Sequence, residues 1–550
     1  MQFNNFKSSS FFQSLPWLLL PISLGSYSQL LSAQQAEALV VEQQTQANPA
    51  PPATFDLFEL RIKGNTLIEK KQLERLIYPF LGPKKSIDDV EKARTALEEQ
   101  YRNLGYQTVS VDIPEQDVKG GLVYLQVVEG KVSRLRVTDS RYFSLGKIKA
   151  GIPELAEGNV PNLPKMQKQL QDLAAQSPDR QIQPVLRAGE TPGTLEVDLK
   201  VKDELPVHGR IELNGRNTST TSRLRLVNSL HYDNLWQEMH SASLMYQVSP
   251  ENSAEVDVWA GTYALPVFDN GTRLAMYTVR SASNSQIASA GALSVIGNGT
   301  IYGLRLVKPL PAVDNYYHTT TLGVDYKDFK EDLNLIGADA IRTPIAYTPF
   351  LAQYSGSFRG KESMNSFDLA LHFSVRGLGN DQTQFANKRY LASSGFMYLF
   401  GDYKFQHDLP YGMEVTSHVT AQAADSPLIS NEQYSMGGAT SVRGYYETQA
   451  LADNGVFGSV ELHSPHLEPI EWEAVNKLLL SSFFDIGKGW VKSPLPGSVH
   501  SYDLSSAGMG LRFQVLKKIT GAFDVGVPFT SIGRVSSGNP RIHFSVATDF

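Results

Sequence analysis

Beyond Pro206 the chain is written in two-residue alternation, and almost no helical periodicity survives there. In SFDLALHFSVR, Phe367, Leu369, Leu371, Phe373 and Val375 fall on one face, and Asp368, Ala370, His372, Ser374 and Arg376 on the other. In AEVDVWAG, Val256, Val258 and Ala260 oppose Glu255, Asp257 and Trp259. In TLGVDYK, Leu322, Val324 and Tyr326 oppose Gly323, Asp325 and Lys327. Turn signals at Asp269-Asn270-Gly271, Asp408-Leu409-Pro410-Tyr411-Gly412 and Lys517-Lys518 separate such runs. About sixteen runs fit into roughly 345 residues, or about 21 to 22 per strand and connection, which suits membrane strands of about 10 residues.

Soluble sandwiches alternate as well, so three further features decide between them. The connections switch between short ones (DNG, LKKITG) and long ones rich in Gly, Ser and Asn (SASNSQIASAGALSVIGNG, GLGNDQTQFANKRYLASSG). Aromatics gather near strand ends, at Tyr316-Tyr317, at Tyr398 and Phe400, and at Tyr445-Tyr446. The chain also stops on a strand: in RIHFSVATDF, Ile542, Phe544, Val546, Thr548 and Phe550 share a face. A terminal aromatic facing lipid resembles the assembly signal of outer-membrane barrels. Closure satisfies every strand edge, as hydrocarbon demands. The expected fold is mainly β, with a 16-stranded transmembrane β-barrel over 207–550.

Composition narrows the function classes. Lys+Arg 50 against Asp+Glu 56 leave a net charge of −6, with no positive excess to neutralise phosphates, so no nucleic-acid partner is expected. There are no cysteines, which excludes disulfides, zinc-thiolate sites, iron–sulfur clusters and cysteine nucleophiles. No apolar run of about 18 residues follows the N-terminus, as a membrane helix would require. H-E-x-x-H, G-x-S-x-G and G-x-x-x-x-G-K-[ST] are all missing. Histidines in strands, such as His372, read as polar groups facing the lumen. Asn270-Gly271-Thr272 and Asn298-Gly299-Thr300 match glycosylation sequons but read as turns. The chain is therefore expected to be no enzyme, with no catalytic residue, metal or cofactor.

At the N-terminus, Lys7 precedes a short apolar stretch, Leu15 to Leu24, and small residues follow at Ser26, Ser28, Ser32 and Ala33. Residues 1–33 read as a secretory signal peptide. Residues 34–54 read as a linker: Gln34 to Gln46 could form a short helix, and Asn48 to Pro52 cannot continue one.

Two small α/β modules fill the interval before the barrel. Over 55–131, Phe55, Leu57, Glu59 and Arg61 alternate with Asp56, Phe58, Leu60 and Ile62, which suggests a strand with one apolar face. Ser86 with Asp89 three residues on starts a helix, Val90, Ala93, Leu97, Tyr101 and Leu104 form its stripe, and Gly105 closes it. Thr108 to Ile113 and Leu122 to Val128 read as strands, giving the order strand, helix, helix, strand, strand. A weaker copy over 132–206 has strands at Val132 to Val137, Gln181 to Ala188 and Thr194 to Val201, with a helix at Leu163 to Leu173. Edge strands in such modules can accept an extended peptide.

The longest connection, 424–455, contains SMGGATSVRGYYETQALADNG. Its Gly437 and Gly438, followed by Val442, Arg443, Gly444 and Tyr445, resemble the inward-folding sixth extracellular loop of the Omp85 superfamily. More narrowly, the chain is similar to the TpsB transporters of two-partner secretion, of the ShlB/FhaC hemolysin secretion/activation type. Tyr101-Arg102-Asn103-Leu104-Gly105-Tyr106, Ile113-Pro114-Glu115-Gln116 and Val127-Val128-Glu129-Gly130 resemble that family's first POTRA domain. Phe483, Asp485 and Gly487 match its F-x-D-x-G strand motif. On this likeness 55–131 is POTRA 1 and 132–206 is POTRA 2.

Around Asp485, alternation puts Leu478, Leu480, Phe484 and Ile486 on one face and Leu479, Ser481, Phe483, Asp485 and Gly487 on the other. A carboxylate facing lipid is costly, so Asp485 should point into the lumen. The resemblance implies that its partner is Arg443, whose planar fork suits a carboxylate. Gly444 would permit a tight loop tip and Gly487 a close backbone approach. The pair would hold the loop inside the barrel.

The resemblance further implies an outer-membrane translocase, its POTRA domains in the periplasm, exporting a large secreted TpsA-like partner of hemolysin, adhesin or contact-dependent toxin type. Outer-membrane lipid would surround a monomeric barrel. The alternative is an assembly or insertion factor of the same superfamily, which usually carries more POTRA modules than the two that fit here.

Overall fold

The computed structural model describes residues 54–268, 270–283, 288–290, 293–295, 297–330, 332–333, 341–467 and 475–550. The expected signal peptide, and the expected linker up to its last residue, lie outside the described residues, as do Asp269 and much of the long connection after Ser283. Contacts divide the chain into a unit running to Lys202, without Arg141–Ser144, and a second unit continuing from Asp203 to Phe550.

In the first unit, β1 (Phe55–Leu57), β2 (Glu59–Lys63), α1 (Lys70–Ile77), β3 (Gly82–Lys85), α2 (Ile87–Asn103), β4 (Val109–Asp112) and β5 (Leu122–Glu129) make one module. β5 is central, parallel to β2 and antiparallel to β4. The Asp89 carboxylate accepts from the Ser86 N–H at 3.0 Å and its hydroxyl at 3.3 Å, which starts α2. Val90, Ala93, Leu97 and Tyr101 are fully buried. Leu104, expected on the same stripe, is instead exposed, because α2 ends at Asn103 and Gly105 turns the chain at φ 94°.

The opening strand also departs from expectation. The backbone breaks at Phe58: β1 pairs with β3, and β2 pairs with β5. The change of partner shifts the phase, so Leu57 and Leu60 are buried while Phe58 is exposed.

The module's motif residues brace the turn after β2. The Glu129 carboxylate accepts from the N–H groups of Thr66 at 2.7 Å and Leu67 at 3.1 Å. The Tyr101 hydroxyl donates to Asn65 at 2.5 Å, and Asn65 in turn accepts from the Ile68 N–H at 3.0 Å. Burial and the nearby Glu129 push the Tyr101 phenol well above its ordinary pKa, so it remains a donor.

A second module has β6 (Lys131–Thr138), α3 (Leu145–Ala150), α4 (Leu163–Ala175), β7 (Arg180–Ala188) and β8 (Thr194–Asp203), in sheet order β6-β8-β7. At six residues, α3 is too short to show periodicity, and the sequence did not reveal it. The modules join where the Asn162 side chain donates to the Leu104 carbonyl at 2.7 Å and the Leu163 N–H donates to Gly105 at 2.8 Å.

The second unit is a closed antiparallel barrel. Its sixteen strands are, in chain order, Val207–Asn214, Arg225–Leu235, His240–Val248, Val256–Pro266, Arg273–Ser283, Gly299–Pro309, Tyr316–Phe329, Ile345–Tyr347 continued as Pro349–Arg359, Ser363–Ser374, Met397–Asp408, Glu414–Ala424, Asn454–His463, Val475–Trp490, Ser501–Val515, Ile519–Pro528 and Arg541–Asp549. The sixteenth strand closes on the first from Ser545↔Asn214 to Asp549↔Arg210. Phe550 and Gly209 then exchange main-chain bonds at 2.8 and 3.0 Å. Leu322, Tyr326, Leu369, Ile486 and Ile542 are exposed on the outside, where hydrocarbon covers them.

One face is assigned here and two local expectations are corrected. In the fourth strand, Val256 and Val258 point inward and are fully buried, while Trp259 lies outside. Alternation fixes which residues share a face, but does not say which face meets lipid. Tyr398, Phe400, Tyr445 and Tyr446 form no outer belt. Tyr398 and Phe400 pack in the barrel interior, Tyr445 is fully buried, and the Arg541 guanidinium covers the Tyr446 ring at 3.7 Å. Asn298-Gly299-Thr300 is no turn, since Gly299 begins the sixth strand. By contrast, Asn270 does shape a turn: its side chain accepts from the Thr272 N–H at 3.1 Å, and Gly271 sits at φ 80°.

Candidate gating site inside the barrel

Strict alternation along the thirteenth strand, Val475–Trp490, aims Asp485 at the lumen. Ser481, Phe483, Asp485 and Gly487 are buried, whereas Leu480, Phe484 and Ile486 are exposed outside. The neighbouring strand sets Ser459 opposite Asp485 and Glu461 opposite Phe483.

The connection from 425 to 453 folds into this lumen. Two short strands, Tyr434–Met436 and Ala450–Ala452, pair as its limbs. Gly437 and Gly438 take φ values of 97° and 113°, and Gly444 one of 90°, a region that disfavours any side chain. These glycines turn the tip so that Arg443 meets the strand. Its Nε donates to Asp485 Oδ2 and its Nη2 to Oδ1, both at 2.8 Å, and its main-chain N–H adds a bond to Oδ2 at 3.0 Å.

Further groups complete the nest. Arg443 Nη1 donates to Glu461 at 2.7 Å, and Nη2 reaches Ser459 Oγ at 3.2 Å. The guanidinium carbon lies 3.4 Å from the centre of the Phe483 ring, a cation–π contact. The Gly444 N–H donates to His543 Nε2 at 2.9 Å on the sixteenth strand. The Tyr445 hydroxyl sits 3.1 Å from the Ser505 carbonyl and 3.0 Å from that of Thr530. Val442 is fully buried, and a Cβ at position 487 would stand 3.0 Å from its Cγ2, so Gly487 makes room for the loop.

All nine residues singled out by motif therefore converge on one place. The sequence reading missed Ser459, Glu461, Arg512, Asp524 and His543. Glu461 bridges Arg443 to Arg512, whose Nη2 lies 3.1 Å from Glu461 and 2.8 Å from Asp524. The same signal would have found them: Ser459 and Glu461 alternate with apolar neighbours in VFGSVELH, and His543 opposes Ile542 and Phe544. Chemically, the cluster holds two guanidinium groups against three carboxylates. Withdrawing Arg443 leaves Asp485, Glu461 and Asp524 with Arg512 as their remaining arginine, and removing one partner of a buried pair costs about 3–5 kcal/mol.

Residues 55–130 match the POTRA domain, ShlB-type. Residues 193–513, more than half of the chain, match Haemolysin secretion/activation protein ShlB/FhaC/HecB. The heme/hemopexin transporter protein HuxB of Haemophilus influenzae (strain 86-028NP) is 22% identical over 478 residues, covering 84% of this chain and 81% of HuxB. The outer membrane transporter CdiB of Escherichia coli O6:K15:H31 (strain 536 / UPEC) is 23% identical over 597 aligned positions, covering 98% and 94%. The solved structure of CdiB from Escherichia coli shares the fold, with a TM-score of 0.59 and 19% identity over 94% of each chain. The chain belongs to the haemolysin secretion/activation family of ShlB, FhaC and HecB, as a TpsB-type transporter whose barrel lies in the outer membrane and whose POTRA domains lie in the periplasm.

Proposed function

We propose that this transporter exports one large secreted protein, of hemolysin, adhesin or contact-dependent toxin type, and that the Arg443–Asp485 pair holds the inward loop in the pore until that partner displaces it. TpsB transporters work with large secreted partner proteins. The observation that carries the reading is the doubly bonded, buried pair between the loop tip and the barrel wall. It is strong enough to hold the loop at rest. Unlike a packed apolar contact, it can be exchanged for water and passing peptide groups.

The partner arrives unfolded and adds a strand to an open sheet edge of the periplasmic modules, where backbone donors and acceptors are unpaired. It then threads through the barrel and folds outside. The barrel acts as a monomer in lipid.

The test is a comparison of culture medium and outer membranes from cells with and without the gene. Loss of one large secreted protein, with other barrels unchanged, supports the reading and identifies the partner. Unchanged medium with several outer-membrane proteins falling together assigns the chain to barrel assembly instead. Deleting Phe55 to Gly130 should end secretion while the barrel still conducts ions; retained secretion would make the module a spacer.

A further inference from the structure

The seam where the last barrel strand meets the first is the least paired in the barrel. Ladder pairing covers five residues on each side, 210–214 against 545–549, whereas every other neighbouring pair of barrel strands matches eight or more. Main-chain bonds extend it by one step at each end. Phe550 and Gly209 exchange theirs at the periplasmic end, and the Gly215 N–H donates to the Phe544 carbonyl at 3.0 Å at the outer end. Beyond that step, Arg541, Ile542 and His543 pair with the fifteenth strand and have no ladder partner on the first.

The two ends are secured differently. At the periplasmic end, strand residues do it alone: Arg210 Nη1 donates to the Asp549 carboxylate at 3.1 Å, directly across the seam. At the outer end the tip of the inward loop lies over the gap. Arg541 Nη2 donates to Asn217 Oδ1 at 2.5 Å, which joins the last strand to the connection following the first. The Glu447 N–H donates to the carbonyl of the same Asn217 at 3.1 Å, and the Tyr446 ring stacks on the Arg541 guanidinium at 3.7 Å. Asn217 is buried, so water is kept from this junction. One more bond crosses here, from Arg534 Nη1 to the Ser219 carbonyl at 2.7 Å, but it is open to solvent.

We propose that Tyr446 and Glu447 clasp the outer end of the barrel seam, so that a docked loop holds the last strand to the connection after the first, and a displaced loop lets that end loosen. Removing the tip uncovers one face of the Arg541 guanidinium and takes a donor from Asn217. Water then competes for the bond that remains, and a polar contact opened to water loses most of its strength. The periplasmic end keeps both its backbone bonds and its ion pair, so loosening stays local. Linkage makes the effect reciprocal: whatever loosens the outer end of the seam also favours release of the loop. The clasp needs no exported partner and does not rest on the export reading.

Amide hydrogen exchange reads the two ends separately in one sample. The full chain is placed in lipid nanodiscs without cargo, and exchange is resolved by residue. Gly215 reports the outer end, and Gly209 and Phe550 report the periplasmic end. Tyr446→Ala, and Arg443→Ala by freeing the tip, should each speed exchange at Gly215 by about tenfold or more while Gly209 and Phe550 keep their rates, since exchange follows local opening. Unchanged exchange at Gly215 in both variants overturns the proposal. Equal acceleration at all three amides also overturns it, because the loop would then brace the whole barrel rather than one end of the seam. Arg541→Lys, which keeps the charge but loses the planar face under Tyr446, is read the same way in case Tyr446→Ala fails to insert. Lost export with the exchange pattern of the unsubstituted chain intact would bear on the export reading alone and leave the clasp standing.

Discussion

Arg443 and Asp485 meet side-on, with Nε and Nη2 each 2.8 Å from a different carboxylate oxygen and the arginine's own N–H 3.0 Å from one of them. Main chain and side chain of one residue thus grip the same carboxylate, so the position of the loop backbone and the charge are fixed together. Arg443→Ala and Asp485→Ala are each expected to cut secretion by about tenfold or more, since a broken buried pair costs about 3–5 kcal/mol. The barrel should still insert and migrate as a folded species on gels. The double variant should cost less than the two single losses added. Unchanged secretion in both single variants would remove the pair from the mechanism.

Gly487 is tested by volume. A side chain there meets Val442 Cγ2 and, at 3.4 Å, the Met436 sulfur. Gly487→Val should push the tip out and raise ion conductance in planar bilayers without touching any charge. A closed, wild-type conductance would show that the loop simply repacks.

Glu129 carries a structural expectation. Replacing it by alanine strips acceptors from the Thr66 and Leu67 N–H groups. Both donors are within reach of solvent, so each lost bond costs about 0.5–1.5 kcal/mol rather than the full penalty of a buried orphan. Calorimetry of the first module should show a clear fall in Tm for Glu129→Ala and a smaller one for Tyr101→Phe, which removes one hydroxyl but keeps the ring.

Phe550 closes the barrel through its main chain. Phe550→Ala keeps the two bonds to Gly209, whereas deleting the residue removes them. If closure is the residue's main task, the deletion should slow barrel assembly in pulse-chase experiments more than the alanine variant does. Equal effects would assign the role to the ring instead.

Much of this was legible in the chain. Alternation gave the barrel and its strand number, and the carboxylate in FFDIG could only face inward. What stayed hidden depended on contacts far apart in sequence. Val256 and Val258 look like lipid-facing residues until the connection 375–396 is folded over them. Nothing near Glu432 announces that it collects Lys327, Tyr347 and Tyr398 from three other strands. The break at Phe58 was equally nonlocal, since two different partner strands take the two halves of one apparent run.

The supports of the loop tip lie almost wholly downstream of it in the chain: Asp485, Ser505, Thr530 and finally His543, seven residues before Phe550. A nascent barrel whose closing strand is not yet in place has no complete seat for the tip. The stopper is therefore the last part to set, and an unfinished barrel is an unsealed one, so speed of closure protects the membrane as much as strength of closure does.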